Sequence, residues 1–471
     1  MTALDLARWQ FGVTTVYHYL FVPLTIGMVF LVAGMQTAWH RTGDERWLRL
    51  TKLFGKLFVI NFAMGVVTGI VQEFQFGMNW SSYSRFVGDV FGAPLALEAL
   101  LAFFLESTFV GLWLFGWERL PRRVHLACIW AAGIGSALSA YFILAANSWM
   151  QNPVGFRIDE AAGRAELTDI GALLTNPVAL VTYPHVLAGC FIVAGATVLA
   201  VALWHLVRRP APDTDPIWRS ALKLGGVTAI IAAIVLAVTG DLQAKVVTDT
   251  QPMKMAAAEA LFDTEAPASF SVFTIGTLDG TEEVFSLRIP GLLSWLATGD
   301  TGGEVKGVYD LQVSYEQMFG PGSYVPYLPV TYWSFRLMIG LGAVTALIVL
   351  WAWWAQRRGR TPTSRWLLRA GLALPVLPVA ANTFGWLLRE VGRQPWVVFG
   401  EMRTAEGVSP NVSLAEVATS FTAFTLIYGV LAVIELRLLL RYARAGLPEV
   451  STRPAGEDEE TADDRLLDFA Y

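Results

Sequence analysis

Charge is scarce in this chain. Asp, Glu, Lys and Arg make up 15% of its 471 residues, where a soluble domain carries about 25%. Its lysines and arginines gather into no basic patch, which excludes nucleic acid as a partner. Cysteine is almost absent. Cys128 and Cys190 lie far apart inside apolar runs and make no CxxC pair, so they offer no disulfide framework and read as small core residues. Histidine is limited to five, too few for a zinc cluster or for a copper centre built from several imidazoles.

What the chain does have is apolar length. Hydrophobic residues reach 54%. A spanning helix needs about 20 consecutive apolar residues. Nine runs approach or exceed that, at roughly 12–37, 53–76, 93–117, 125–147, 181–206, 219–239, 329–354, 366–388 and 414–440. No short basic region and cleavage site frame the first, so Phe11–Met35 is expected to be a retained helix and not a signal peptide. The expected fold is an all-α polytopic membrane protein, a bundle of about nine transmembrane helices. Helices 1–6 fall within 1–239, a polar loop within 240–328, helices 7–9 within 329–440, and a tail within 441–471. The tail contains "GEDEETADD", supplies much of the net charge of −5, and is expected to be disordered.

Basic residues set the expected orientation. Arg41, Arg46, Arg49 and Lys52 follow the first run, Arg119, Arg122 and Arg123 the third, and Arg208 and Arg209 the fifth. Arg357, Arg358 and Arg360 follow the seventh, and Arg441 and Arg444 the ninth. The positive-inside rule then places the N-terminus outside, the C-terminus in the cytoplasm, and the 240–328 loop outside.

Ionisable residues in spans are costly and mark candidate sites. By this topology His18, His185, Glu98, Met338 and Glu390, from five different helices, gather near the outer face. Glu106 follows Glu98 by eight residues, about 12 Å deeper at ~1.5 Å per residue and about 80° around an α-helix. The two therefore need not share a face. His40 and His205 fall at cytoplasmic helix ends and read as surface residues. Haem needs only one or two axial ligands per iron, and His and Met are established ones, so the cluster leans towards haem. Plainer readings stand beside this: Met338 as core filler, His18 as a packing residue, Glu390 as an ion pair with Arg389 or Arg393, and the glutamates as an ion pathway in a transporter.

Longer motifs carry the reading further. The segments "ARWQFGVTTVYHYLFVPLTIG", "EFQFGMNWSSYSRFVGDVFGAPLALEALLAFFLESTFVGLWLFGW", "LAANSWMQNPVG", "WSFRLMIGLG" and "REVGRQPW" together resemble subunit I of the bacterial cytochrome bd quinol oxidases. The resemblance runs from the first span to the ninth. It implies an electrogenic quinol oxidase of the bacterial cell membrane that reduces dioxygen to water with haems b558, b595 and d and without copper. Menaquinol or ubiquinol would be the electron donor. Partners would be membrane lipid, a second large subunit (subunit II) and small single-helix accessory subunits.

The resemblance also distributes roles. His185 and Met338 match the axial pair of haem b558, with Arg336 nearby. His18, Glu98 and Glu390 match ligands at the site of the other two haems, and Arg393 sits in the same cofactor-binding motif. Glu106, with Ser107, Ser139 and His125, matches or neighbours a proton path from the cytoplasm. Lys254 and Glu259, in "QPMKMAAAEA", match residues needed for quinol oxidation in the external loop, which looks short downstream of them.

Overall fold

The computed structural model describes residues 2–277 and 280–449. Most of the expected acidic tail, from 450 on, lies outside the described residues. The chain is helical almost throughout. Thr2 and Asp5 form a reciprocal capping box that starts α1 (Ala3–Tyr19). The helix breaks at Leu20 and Phe21, just ahead of Pro23, and resumes as α2 (Val22–Thr42). Asp44 caps α3 (Glu45–Met78). Next come α4 (Ser81–Leu97), a π-helical segment at Glu98–Phe103, and α5 (Phe104–Phe115), which form one continuous rod. After α6 (Arg122–Gln151), the hairpin β1–β2 (Phe156–Asp159, Arg164–Leu167) and the short α7 (Ile170–Leu174) lead into α8 (Pro177–Arg208).

The expected polar loop is shorter and more ordered than the composition implied. The helix α9 (Asp215–Thr250) runs past the expected end of the sixth span at 239. It turns at Gln251 into α10 (Pro252–Glu259). An antiparallel hairpin, β3–β4 (Phe270–Gly276, Glu283–Ile289), and two helices, α11 (Leu292–Thr298) and α12 (Val308–Phe319), fill the rest. Then α13 (Leu328–Ala355) returns to the bundle. The expected span at 366–388 is not one helix. It divides into α14 (Arg365–Gly371) and α15 (Leu377–Val391), because Pro375 and Pro378 cannot donate the backbone bonds a continuous helix requires. A small hairpin, β5–β6 (Trp396–Val398, Met402–Arg403), precedes α16 (Leu414–Ala445), which extends past the expected tail boundary at 441.

Among the described residues, eight helical stretches are long and apolar enough to cross a membrane. At the centre α8 packs on both α2 and α9. Gly195 and Gly225 face each other where α8 crosses α9, and a Cβ on Gly195 would lie 2.7 Å from the Gly225 carbonyl. Small residues of this kind let helices approach closely in lipid, where apolar burial offers no net drive. Cys190 faces Gly27 where α8 packs on α2 and is fully buried, a packing residue as its surroundings implied. His205 stacks on Trp218 at 4.0 Å and bonds the Ala443 carbonyl at 2.9 Å, so it ties α8 to α9 and α16 and is not a surface residue.

Candidate functional site

A cavity of about 1500 Å³ runs through the bundle. Pockets for a single small ligand span roughly 300–1,000 Å³, so this one has room for more than one group. Its lining is largely apolar, but His18, Glu98, Glu106, His185, Met338 and Glu390 all reach it, as do Ser139, Lys254, Glu259 and Arg393. Residues far apart in sequence thus share one space. Arg336, Ser107 and His125 do not line it.

Each of the two histidines at the cavity is held by its Nδ1. His18 Nδ1 lies 3.0 Å from Thr68 Oγ1 on α3, and His185 Nδ1 lies 3.0 Å from Thr239 Oγ1 on α9. Met338 approaches from α13, and its sulfur packs against Gly385 of α15, where an added Cβ would come within 2.9 Å of Sδ. Neither threonine nor the glycine drew attention in the sequence, since isolated small residues in apolar helices have no chemical signature of their own.

The π segment changes the expected geometry of the glutamates. Glu98 Oε1 accepts from Ser139 at 2.7 Å, and Glu106 Oε1 accepts a short hydrogen bond from Ser136. Both serines are on α6, so both carboxylates turn to one partner helix, not about 80° apart as an unbroken α-helix would place them. A π stretch, bonded i→i+5, winds more slowly and takes up that difference. Ser136 is therefore the hydroxyl beside Glu106. Ser107, the sequence candidate, bonds only its own helix at Phe104 O.

Glu390, at the end of α15, sits among cations. Its Oε2 pairs with Arg393, and its Oε1 accepts from Asn147 at 2.8 Å. Arg389 is anchored to Asn147 at 2.5 Å, Thr182 at 3.0 Å and Ser148 at 3.1 Å. Lys254, buried on α10, bonds Gln151 and faces the same cluster. Burial, reinforced by Arg389 and Arg393, pushes the Lys254 ammonium well below its ordinary pKa. Two guanidinium groups and a lysine thus surround one carboxylate, and Arg393 Nε has no protein partner.

Glu259 closes α10 five residues after Lys254 and makes a different contact. It is 1% exposed and pairs with Arg336 at 2.7 Å, while Ser271 N donates to the same oxygen at 3.0 Å. Burial pushes its carboxyl up, and Arg336 opposes that shift. Arg336 is boxed by the rings of Phe270, Tyr332 and Phe335, and its Nε and Nη1 lack partners. His125 is elsewhere. Its Nδ1 meets Gln36 Nε2 at 2.8 Å and its Nε2 meets the Trp113 carbonyl at 2.7 Å, within an indole cluster of Trp113 and Trp117.

These residues fit haem. Among the described residues, no three His, Cys, Asp or Glu side chains converge to hold a bare metal ion. A group that brings its own equatorial ligands needs only the axial His, Met or Glu side chains that line the cavity. The unpartnered Nε of Arg393 and the basic side chains around Glu390 suit the carboxylates such a group carries.

Comparison with known proteins agrees with this chemistry. The family model described as "Cytochrome bd terminal oxidase subunit I" matches residues 6–447. The chain is 46% identical over 449 residues to cytochrome bd ubiquinol oxidase subunit 1 of Bacillus subtilis, covering 95% of this chain and 94% of that one. It is 36% identical over 500 residues to cytochrome bd-II ubiquinol oxidase subunit 1 of Escherichia coli, covering 94% and 96%. Its fold superposes on the bd oxidase structure from Geobacillus thermodenitrificans with a TM-score of 0.85 at 30% identity, over 94% of this chain and 99% of that one. With the cavity, its axial candidates and these matches together, the chain belongs to the cytochrome bd terminal oxidase subunit I family.

Proposed function

We propose that this chain is the haem-bearing, quinol-oxidising and dioxygen-reducing subunit of a respiratory bd-type oxidase. The observation that carries the reading is the convergence of His18, His185, Met338, Glu98 and Glu390 on one large apolar cavity. His185 and Met338 hold haem b558, and His18, Glu98 and Glu390 serve haems b595 and d. Once bound, haem iron supplies the one-electron relay and the site at which dioxygen is reduced.

The chain's own residues do the rest. The 240–328 segment faces the outside and forms the quinol site. There Glu259, its carboxyl raised by burial, accepts a proton from the quinol, and Arg336 steadies the ionised carboxylate. Arg336 also places a fixed positive charge two residues before Met338, favouring the reduced state of the neighbouring iron. Lys254 and Arg393 hold anionic edges of the bound groups. Glu106 with Ser136 and Glu98 with Ser139 form two carboxylate–hydroxyl stations along α6. Protons taken from the cytoplasm pass along them towards the oxygen site. Quinol protons leave outside while protons for water enter from inside. Charge crosses without a pump, at about 2.3 kcal/mol per charge per 100 mV. Subunit II and small accessory helices complete the complex in the bacterial cell membrane.

The test is a redox difference spectrum of the purified complex with metal analysis and oxygen uptake on ubiquinol and on menaquinol. Three haem signals, iron without copper, and quinol-dependent oxygen uptake are expected. A colourless preparation, or one containing copper, overturns the proposal. A finer check uses Gly385→Ala, whose new Cβ presses on Met338 Sδ. It should weaken the low-spin haem band by about half or more, in the range set by lost ligand support, while the bands assigned to the other haems persist.

A further inference from the structure

The histidine supports repeat. In sequence, "VTGIVQ" at 67–72 and "VTGDLQ" at 238–243 share the pattern V-T-G-x-x-Q. In space, the first lies on α3 against His18 and the second on α9 against His185. Thr68 and Thr239 meet the two imidazoles at the same distance, and Gln72 and Gln243 both line the cavity.

Hydrogen-bond accounting decides what the threonines do. A threonine hydroxyl has a single proton to give. Thr68 Oγ1 donates it to the Met64 carbonyl at 2.9 Å, and Thr239 Oγ1 donates it to the Val235 carbonyl at 2.7 Å. Each oxygen is then an acceptor towards the ring nitrogen 3.0 Å away. With the hydroxyl proton given to the helix carbonyl, Nδ1 is the donor of this contact and carries the proton. A neutral imidazole protonated at Nδ1 keeps its lone pair on Nε2. Both rings reach the cavity.

Resting on the haem reading above, we infer that Thr68 and Thr239 are paired positioning residues that fix the Nδ1–H tautomer of His18 and His185 and so present Nε2 to iron. Donation of the hydroxyl proton to a helix carbonyl polarises each threonine oxygen and strengthens it as an acceptor. That raises the basicity of Nε2 and favours the ferric state of whatever iron it binds. The glycines differ. A Cβ on Gly69 would stand 3.1 Å from His18 Cε1, tighter than ordinary contact, whereas one on Gly240 would stand 3.5 Å from His185 Cε1, which is ordinary contact. Gly69 makes room for its ring, and Gly240 has no such duty.

The experiment is a potentiometric titration of the purified complex, following each haem by its own absorbance. Thr239→Val, which keeps shape and removes the acceptor, should raise the midpoint of the His185–Met338 haem alone. The expected change is about tenfold in the ferric-to-ferrous ratio, ~59 mV for one electron. Thr68→Val should do the same only at the haem served by His18. Thr239→Ser and Thr68→Ser should titrate as wild type. Loss of the matching haem alone in a Val variant, with the Ser variant intact, carries the same meaning. Gly69→Ala should disturb its haem and Gly240→Ala should not. Unmoved midpoints in the Val variants, Ser variants that shift like Val, or shifts spread over all haems would overturn the inference while leaving the oxidase reading in place. A wild type without haem would overturn both.

Discussion

His185→Ala should erase the low-spin haem band and cut quinol-dependent oxygen uptake to below about 1% of wild type. The bands of the other two haems should remain. The size of the effect follows from position. Loss of a group that only supports a metal ligand costs roughly 10–100-fold, and His185 is proposed as the ligand itself. Its ring reaches the cavity from α8, and its remaining polar contact is to Thr239. The fold has less at stake, because the side chain is half-buried at the cavity wall. Met338→Ala removes the other proposed ligand and should convert the same haem to a high-spin form without clearing it. An absorbance spectrum unchanged by either substitution would remove both residues from the axial pair.

The second large effect concerns Glu259. Glu259→Ala should destabilise the 240–328 segment by about 3–5 kcal/mol, because it strands the Arg336 guanidinium in a buried site. Quinol oxidation should fall at least tenfold while all haem bands persist. Thermal unfolding and quinol kinetics of the purified complex measure the two losses. The double variant Glu259→Ala with Arg336→Met should be more stable than either single change predicts by addition, since a missing pair costs less than a broken one. The pH dependence has two opposite signs. Burial raises the Glu259 carboxyl, so this group favours the folded segment below the ordinary carboxylate range, and that contribution is lost as pH rises through the raised pKa. Proton acceptance needs the ionised form, so quinol oxidation should rise through the same interval. Activity that ignores both the charge and the pH would remove Glu259 from the reaction.

Much of this was legible in the sequence, for identifiable reasons. Apolar runs mark lipid-crossing helices because backbone groups in lipid must bond within their own segment. Polar ligands in such runs stand out because they are costly there. His18, His185, Met338, Glu98 and Glu390 were found in that way, and the structure brings them to one cavity. Helix phase and partner choice were not legible. Ser136 and Ser139 are equally plausible hydroxyls on α6 until the π segment turns Glu106 towards the first and Glu98 towards the second. Ser107 lies next to Glu106 in sequence and for that reason points away from it. His125 looked like a titrating group near the cytoplasm, but Gln36 and the Trp113 carbonyl occupy both its nitrogens. Lys254 and Glu259, neighbours on a short helix, face separate partners because the first reaches Gln151 of α6 and the second Arg336 of α13.

The loosened turn at Glu98–Phe103 has one more implication. A helix is indexed like a screw, and removing one residue advances everything beyond the cut by about 100°. Deleting Leu100 would tighten the rod into an ordinary α-helix with no change of charge or polarity. The carboxylate at 98 and the one now at 106 would then be seven residues apart and within about 20° of each other around the helix, so both could still meet α6. An added residue in this six-residue window should instead swing one carboxylate away by about 100°, while substitutions at its outward-facing leucines should pass almost unnoticed.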